Sequence, residues 1–395
     1  MKAVILCAGK STRTYPLTVN RPKCMIKLAG KTLLEHLLDR ITGLVDEVIL
    51  VVGFGKEIVR ERIGNEYEGM RIAYAEQKEA LGTADALLRA ESFVGKDERF
   101  LVLMGDNLYP GEAIRECVSY GISLLAQKVL NPEEYGVVET DKGFLTEIVE
   151  KPADPKSNLA NTGLYVLNDR IFEILKSLRI SPRKEYELTD AVNILAGKLR
   201  IRCFYTSGWV PVTYPWDFLR VNRALLSEIR REIKGEVEKN AVIKGDVKIG
   251  KGSVIKSGTY IEGPAVIGEN CVIGPNAYVR ANTSIGDNVR FRGEVVNSII
   301  MDGTTAKHFC YIGHSVIGEN VNIAAGTVTA DFRHDGKNHV TIVRGKKIDT
   351  GLRKLGAFVG DGVRTGINTS IYPGRKIWPG LSTLPGEIVK KDVTG

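Results

Sequence analysis

The chain has 395 residues, a formal net charge of +8, and ordinary globular shares of hydrophobic (43%) and charged (26%) residues. That length allows two or three domains, and the composition excludes a collagenous, disordered or disulfide-dense chain. No run of five like charges occurs, which argues against a nucleic-acid arm. No stretch of 18 apolar residues occurs, so no membrane-spanning helix is expected.

A basic balance suits anionic partners such as nucleotides, sugar phosphates or coenzyme A, and it equally describes a solvated Lys/Arg-rich surface. The six cysteines contain no C-x-x-C pair, which points to a reducing compartment, the cytoplasm. The apolar run after Lys2 is too short for a signal peptide.

In chain order, residues 3–9 (AVILCAG) read as a buried strand ending in glycine, and 32–41 (TLLEHLLDRI) as an amphipathic helix. Strands follow at 47–53 and 99–106, so residues 1–217 predict an open α/β sheet with ligands at the carboxyl ends of its strands. Residues 218–235 read as a connecting helix stopped by Gly235.

From 236 to 395 the period changes. Ile243, Ile249, Ile255, Ile261, Ile267, Ile273, Val279, Ile285 and Phe291 recur every six residues, often with glycine directly after. Six is neither a helix nor a strand period; it is the hexapeptide repeat of a parallel β-helix, with aliphatic residues inward and Gly or Asn at the corners. The register slips by two residues between Phe291 and Ile299, resumes at Ile317 and Ile323, and returns at Val359, Thr365, Ile371 and Ile377. The polar stretch 330–356 reads as an irregular insertion on one face, a common place for a site.

The loop after the first strand, Cys7-Ala8-Gly9-Lys10-Ser11-Thr12-Arg13-Thr14-Tyr15-Pro16-Leu17-Thr18, is followed by Arg21-Pro22-Lys23. Small residues allow backbone N–H groups near phosphates, and Arg13 and Lys23 can neutralise a triphosphate. On physics alone this is either a phosphate loop or a surface loop with two solvated cations. The stretch resembles the signature L-x-x-G-x-G-T-R-x-x-P-L-T…P-K of sugar-phosphate nucleotidylyltransferases, with Ser11 in the second glycine position.

That resemblance implies a Rossmann-like, GT-A-like domain fused to a left-handed parallel β-helix. It also implies further roles. Leu6, Ala8 and Gly9 would line the nucleotide, and Gln77, Gly82 and Thr83 would meet its base. Asp106, in Gly-Asp-Asn, would hold Mg2+. Gly136, Glu150, Lys151 and Asn161 would hold the sugar and its phosphate. Arg13 and Lys23 would act on the transferring phosphates. The family's second metal carboxylate is expected where Pro211 stands. Asp217 either substitutes for it or caps the following helix.

Four of the five histidines lie between 308 and 339. The runs His308-Phe-Cys-Tyr311-Ile-Gly313, Asn322-Ile-Ala-Ala325-Gly326-Thr and Asp331-Phe-Arg-His-Asp-Gly-Lys337 resemble the acetyltransferase half of the bifunctional N-acetylglucosamine-1-phosphate uridyltransferase/glucosamine-1-phosphate acetyltransferase family. By that match His308 is the general base. Tyr311 and Asn322 line the sugar, Arg280 and Lys337 hold its phosphate, and Ala325 and Gly326 follow the coenzyme arm. Asp331 stands for the family's Asn, and Ala324 for a Gly. The other readings of His308 are a structural corner residue, or a metal cluster with Cys310 and His314.

The expected activity is bifunctional: acetylation of glucosamine 1-phosphate by acetyl-CoA, then nucleotidyl transfer from UTP or dTTP with release of pyrophosphate, UDP-N-acetylglucosamine being the favoured product. The alternatives are a single-activity nucleotidyltransferase with a structural or regulatory β-helix, and a non-catalytic scaffold subunit. Survival of Arg13, Lys23, Asp106 and Lys151 argues against the scaffold, and Pro211 argues for it. The resemblance also implies a homo-trimer or another homo-oligomer.

Overall fold

The computed structural model describes residues 1–395. The chain forms two compact units whose division is not linear in sequence. Met1–Lys10, Pro22–Met25 and Leu33–Pro211 form one, while Ser11–Arg21, Ile26–Thr32 and Val212–Gly395 form the other.

The first unit is a ten-stranded mixed sheet with helices on both faces. At its centre Lys2–Leu6 runs parallel to both Glu47–Val52 and Arg99–Met104. A strand covered on both faces needs a continuous apolar run. Ala3 and Ile5 enter one core with Leu34, Leu37 and Leu38 of the helix Leu33–Ile41. Val4 enters the other with Leu87, Phe172 and Val192. The carboxyl ends of the three central strands therefore release the segments at Cys7, Gly53 and Gly105 side by side: Cys7 N donates to Val51 O (2.8 Å) and Gly105 N to Leu6 O (3.0 Å).

The second unit is dominated by a left-handed parallel β-helix with three faces. One turn takes 18 residues where the repeat is regular, so Ile243 pairs with Ile261, and Ile261 with Val279. The hexad aliphatics point inward, and from Ile249 to Phe291 they are all buried. Asn270, Asn276, Asn282 and Asn288 turn corners with positive φ, a conformation asparagine tolerates better than most residues.

Three expectations change. The connecting helix is shorter than 218–235: it spans Asp217–Leu226. Glu232–Ile233 already pairs with Lys248–Ile249 as the first β-helix strand. The register slip is larger than two residues. Val295 and then Ile300, not Ile299, continue the inward columns, because Ile300 pairs between Ile285 and Ile317. Finally, the insertion is not irregular. It holds an antiparallel hairpin, Val340–Val343 with Lys346–Asp349, turned by Arg344 and Gly345 at positive φ. Ile317 pairs directly with Val359, so the insertion leaves the solenoid and returns one turn further on.

Candidate active sites

In the first unit, the carboxyl ends of the strands gather the nucleotide candidates. A Cβ on Gly53 would lie 2.8 Å from Ala8 O and 3.0 Å from Gln77 O, so glycine is what lets those two backbones meet. Gln77 is buried, and its amide nitrogen donates to Gly82 O (3.0 Å) and Asp85 Oδ2 (2.8 Å). A carboxylate can only accept, which fixes the amide orientation and leaves Gln77 Oε1 as the acceptor for a base N–H. Gly82 has φ +112°, and a Cβ there would lie 2.5 Å from Tyr186 O. Thr83 Oγ1 accepts from Leu188 N (3.1 Å). Tyr186 and Asp85 thus build this corner, although no sequence motif singled them out.

Lys23 Nζ and Asp106 Oδ2 are 2.7 Å apart, the lysine buried and the aspartate half-exposed. Asn107 is buried beside them and donates to Tyr109 Oη (3.1 Å) and Thr162 O (3.2 Å). That ties the Asp106 turn to the Asn161-Thr162-Gly163 segment. Pro211 pairs across from Asn107 in a two-residue ladder, so the position of the expected second carboxylate lies next to Asp106 and carries no ligand.

The sugar candidates converge. Gly136 sits opposite Glu150, and a Cβ there would meet Glu150 Oε2 at 3.0 Å and Asn161 Cβ at 3.6 Å. Glu150 accepts from Arg183 (2.6 Å), which also pairs with Glu187 at 3.4 Å; the sequence reading did not include Arg183. Lys151 has φ +48°, and its N–H donates to Tyr135 O (3.0 Å).

In the second unit, Ser11 adopts the left-handed conformation that its glycine counterpart would adopt freely. Its carbonyl accepts from Thr14 N, Thr14 Oγ1 and Thr18 Oγ1, which holds that turn. Arg13 follows it, exposed. The Asp217 carboxylate is buried and accepts from Thr213 N (2.9 Å) and Tyr214 N (2.8 Å). Those bonds brace the turn that leads into the helix Asp217–Leu226, and the helix start itself receives no side-chain cap, so the expected capping role is not the one displayed.

The acetyltransferase candidates divide between two faces of the β-helix. On one, Asp331 Oδ2 accepts from Tyr311 Oη (2.9 Å) and sits 2.7 Å from His314 Nδ1. Burial pushes the Asp331 carboxyl up, but the bonds from His314 and Tyr311 outweigh it and hold the group below its ordinary value. Burial and the same carboxylate push the Tyr311 phenol up. Arg280 pairs with Glu294 (3.0 Å), whose strand adjoins that of Tyr311.

Asn322 lies on a different face, bridged to Thr305 and Arg364, and is not brought to Tyr311. His308 is exposed at the corner between these faces. The same corner stacks Ala325-Gly326 on it, Gly326 N donating to Phe309 O (2.7 Å). Lys337 is exposed in the insertion, in a turn closed by Arg333 and Asp335. The metal-cluster reading fails: Cys310 is buried with its thiol pushed up to about 12 by burial, and no group of three ligating side chains occurs. His314 is the residue the sequence undervalued, because its partner Asp331 lies 17 positions away, on the next coil.

This arrangement defines a nucleotide-binding α/β enzyme with a polar site on its β-helix. A family model described as Nucleotidyl transferase matches residues 2–228, and one described as GMPPB C-terminal domain matches residues 258–365. The chain belongs to the nucleotidyl transferase family and is an enzyme. It is 41% identical over 392 residues to "Bifunctional protein GlmU" of Methanocaldococcus jannaschii, covering 97% of this chain and 94% of that protein. It is 39% identical over 408 residues to the "Bifunctional sugar-1-phosphate nucleotidylyltransferase/acetyltransferase" of Sulfurisphaera tokodaii, covering 100% and 98%. Its fold matches a UDP-glucose pyrophosphorylase in complex with UDP-glucose at a TM-score of 0.52 and 23% identity, covering 57% of this chain and 98% of that one. No helix is long and apolar enough to cross a membrane.

Proposed function

We propose that this chain is a bifunctional cytoplasmic enzyme that acetylates glucosamine 1-phosphate and then joins N-acetylglucosamine 1-phosphate to UTP. The observation that carries nucleotidyl transfer is the Lys23–Asp106 pair at the strands' carboxyl ends, in the unit where Gly136, Glu150 and Asn161 converge.

A sugar 1-phosphate oxygen attacks the α-phosphorus, a new P–O bond forms, and the α–β bridging bond breaks to release pyrophosphate. The nucleophile is already anionic, so no general base is required, and catalysis reduces to positioning and charge neutralisation. Lys23 and Arg13 neutralise the phosphates, Glu150 accepts from sugar hydroxyls, and Gln77 Oε1 accepts a base N–H such as that of uracil. The half-exposed Asp106 fits Mg2+, which commonly takes one or two carboxylates and completes its shell with water and phosphates. When bound, the ion would offset charge on the leaving pyrophosphate.

Acetyl transfer forms an N–C bond between the sugar amine and the thioester carbonyl carbon. The C–S bond breaks, and the thiolate leaves as coenzyme A after gaining a proton. The amine proton passes to histidine. By resemblance that residue is His308. A second reading comes from the geometry: His314 has its Nδ1 held by Asp331, the base-and-orienter arrangement that leaves Nε2 to accept. The split of Tyr311 and Asn322 between two faces fits a site completed by a neighbouring copy. So does an exposed apolar ridge of Phe309 (76%), Ile367 (53%) and Leu384 (73%). A homo-trimer is the expected assembly, and a monomeric mass by light scattering would count against it.

The test incubates the protein with glucosamine 1-phosphate, acetyl-CoA, UTP and magnesium, following free thiol and pyrophosphate separately. Both should appear. His308→Ala should abolish thiol release and keep pyrophosphate from preformed N-acetylglucosamine 1-phosphate. Loss in His314→Ala with His308→Ala active would move the base to His314. Pyrophosphate alone in the wild type would make the β-helix structural or regulatory.

A further inference from the structure

The nucleobase corner lies wholly within the first unit and is built around one primary amide. Gln77 Nε2 carries two hydrogens. One goes to Gly82 O (3.0 Å) and the other to Asp85 Oδ2 (2.8 Å). No N–H of that side chain is left for a ligand, and Oε1 is what it can offer.

Both anchors are held in turn. Gly82 is wedged against Tyr186, whose N donates to Leu81 O (2.8 Å) and whose O accepts from Ala84 N (3.0 Å). Asp85 is buried in the helix Thr83–Leu88, and its other oxygen, Oδ1, accepts from Arg89. A buried charge is costly, and a neutral side chain could fill the same space. What the carboxylate supplies is two acceptors, one for Arg89 and one for Gln77. Asparagine, with one oxygen and one NH2, cannot serve both donors.

We propose that Asp85 is the positioning residue that sets nucleobase selectivity: by taking the second N–H of Gln77 it makes that amide acceptor-only, which selects pyrimidines with a ring N–H and rejects cytosine. Uracil and thymine present N3–H to Oε1. Cytosine presents the N3 lone pair at the same point, and two facing lone pairs repel. An amide turned over could donate to cytosine N3, but its oxygen would then face Gly82 O and the Asp85 carboxylate. Asp85 itself does not touch the base; it acts through Gln77. The inference rests on the nucleotidyl-transfer reading.

The test uses the full-length protein with preformed N-acetylglucosamine 1-phosphate and measures kcat/KM for UTP and for CTP. Wild type should prefer UTP by at least about 100-fold. Asp85→Asn preserves shape but leaves a single oxygen, for which Arg89 competes. Its NH2 then faces Gln77, and the Gln77 amide turns over. The UTP-to-CTP ratio should fall at least about tenfold, with KM rising for UTP and falling for CTP. KM for the sugar 1-phosphate should stay within about twofold. Arg89 is half-exposed, so the competitor can be removed as well. Asp85→Asn with Arg89→Leu should restore part of the ratio, because the remaining oxygen is then free for Gln77. A merely structural Asp85 would weaken both nucleotides alike. An unchanged ratio in Asp85→Asn therefore overturns the proposal, as does a ratio not restored in the double variant, or a wild type that uses CTP as well as UTP. Wild-type protein that releases no pyrophosphate with any nucleoside triphosphate would defeat the nucleotidyl-transfer reading instead; calorimetric titration of the same proteins with UTP and CTP would then decide the role of Asp85.

Discussion

Individual residues in the first unit are chosen by backbone proximity as much as by chemistry. Gly82 shows this. Its φ of +112° and the 2.5 Å gap from a hypothetical Cβ to Tyr186 O leave no room for alanine, and the obstacle is backbone, which cannot rotate away. Gly82→Ala should destabilise the protein by about 2 kcal/mol or more. It should also raise KM for UTP more than KM for the sugar phosphate, because Gln77 Nε2 donates to the carbonyl of that same residue. A melting curve and two substrate titrations check both. The nucleotide motifs were legible because each is contiguous. Asp85, Tyr186 and Arg183 were not: they act by reaching across the fold to Gln77, Gly82 and Glu150, and nothing local in their sequence marks that. Asp217 was misread in the same way: its acidic type suggested a metal and its place at a helix start suggested a cap, while the bonds it makes run back to Thr213 N and Tyr214 N in the turn before the helix.

At the scale of elements, the hexad period carried the β-helix, because inward aliphatics at every sixth position have few other structural explanations. It misplaced Ile299 because both Ile299 and Ile300 are apolar and buried, and only the pairing with Ile285 decides which points inward. Some inward positions are threonine rather than aliphatic, Thr329 and Thr365 among them. Thr329 stands in line with Ile371, buried, and its Oγ1 accepts from Gly313 N at 2.9 Å. Thr329→Val, more hydrophobic and nearly isosteric, should still cost about 1–3 kcal/mol by leaving that N–H unpaired; chemical denaturation measures it.

The insertion hairpin has its own weak point. His339 is buried, its Nε2 is 3.1 Å from Asp331 O, and burial pulls its ordinary titration downward. With the folded value below the unfolded one, the unfolded segment binds the proton first. Stability is therefore full above the ordinary histidine range and falls as pH drops through it toward the lowered folded value. Protection from hydrogen exchange across 332–355, taken relative to the intrinsic exchange rate at each pH, should fall between about pH 7 and pH 5, in the usual range of histidine. His339→Gln should flatten that dependence.

For the whole molecule, the sequence suggested two domains in tandem, and the contacts instead return two early segments to the later unit. Long-range ion pairs such as Arg21 with Asp361, 340 positions apart, leave no periodic trace. Those pairs have a consequence for how this chain can vary in length. Glu319 and Asp361 are 42 residues apart along the chain yet belong to neighbouring coils, because the hairpin excursion between them adds residues without adding height. Lengthening the Arg344–Gly345 turn by two glycines should leave Arg21 paired with Glu319 and Asp361, and hydrogen exchange over Ser11–Arg21 untouched. Removing one complete coil between Asp287 and Asp361 would instead shift the upper rungs by roughly one strand spacing, about 4.8 Å, and take Arg21 out of reach. Sequences of this kind are better aligned by counting coils than by counting residues: the excursion is free to drift, while the number of turns between Asp287, which pairs with Lys27, and Asp361, which pairs with Arg21, is a fixed length.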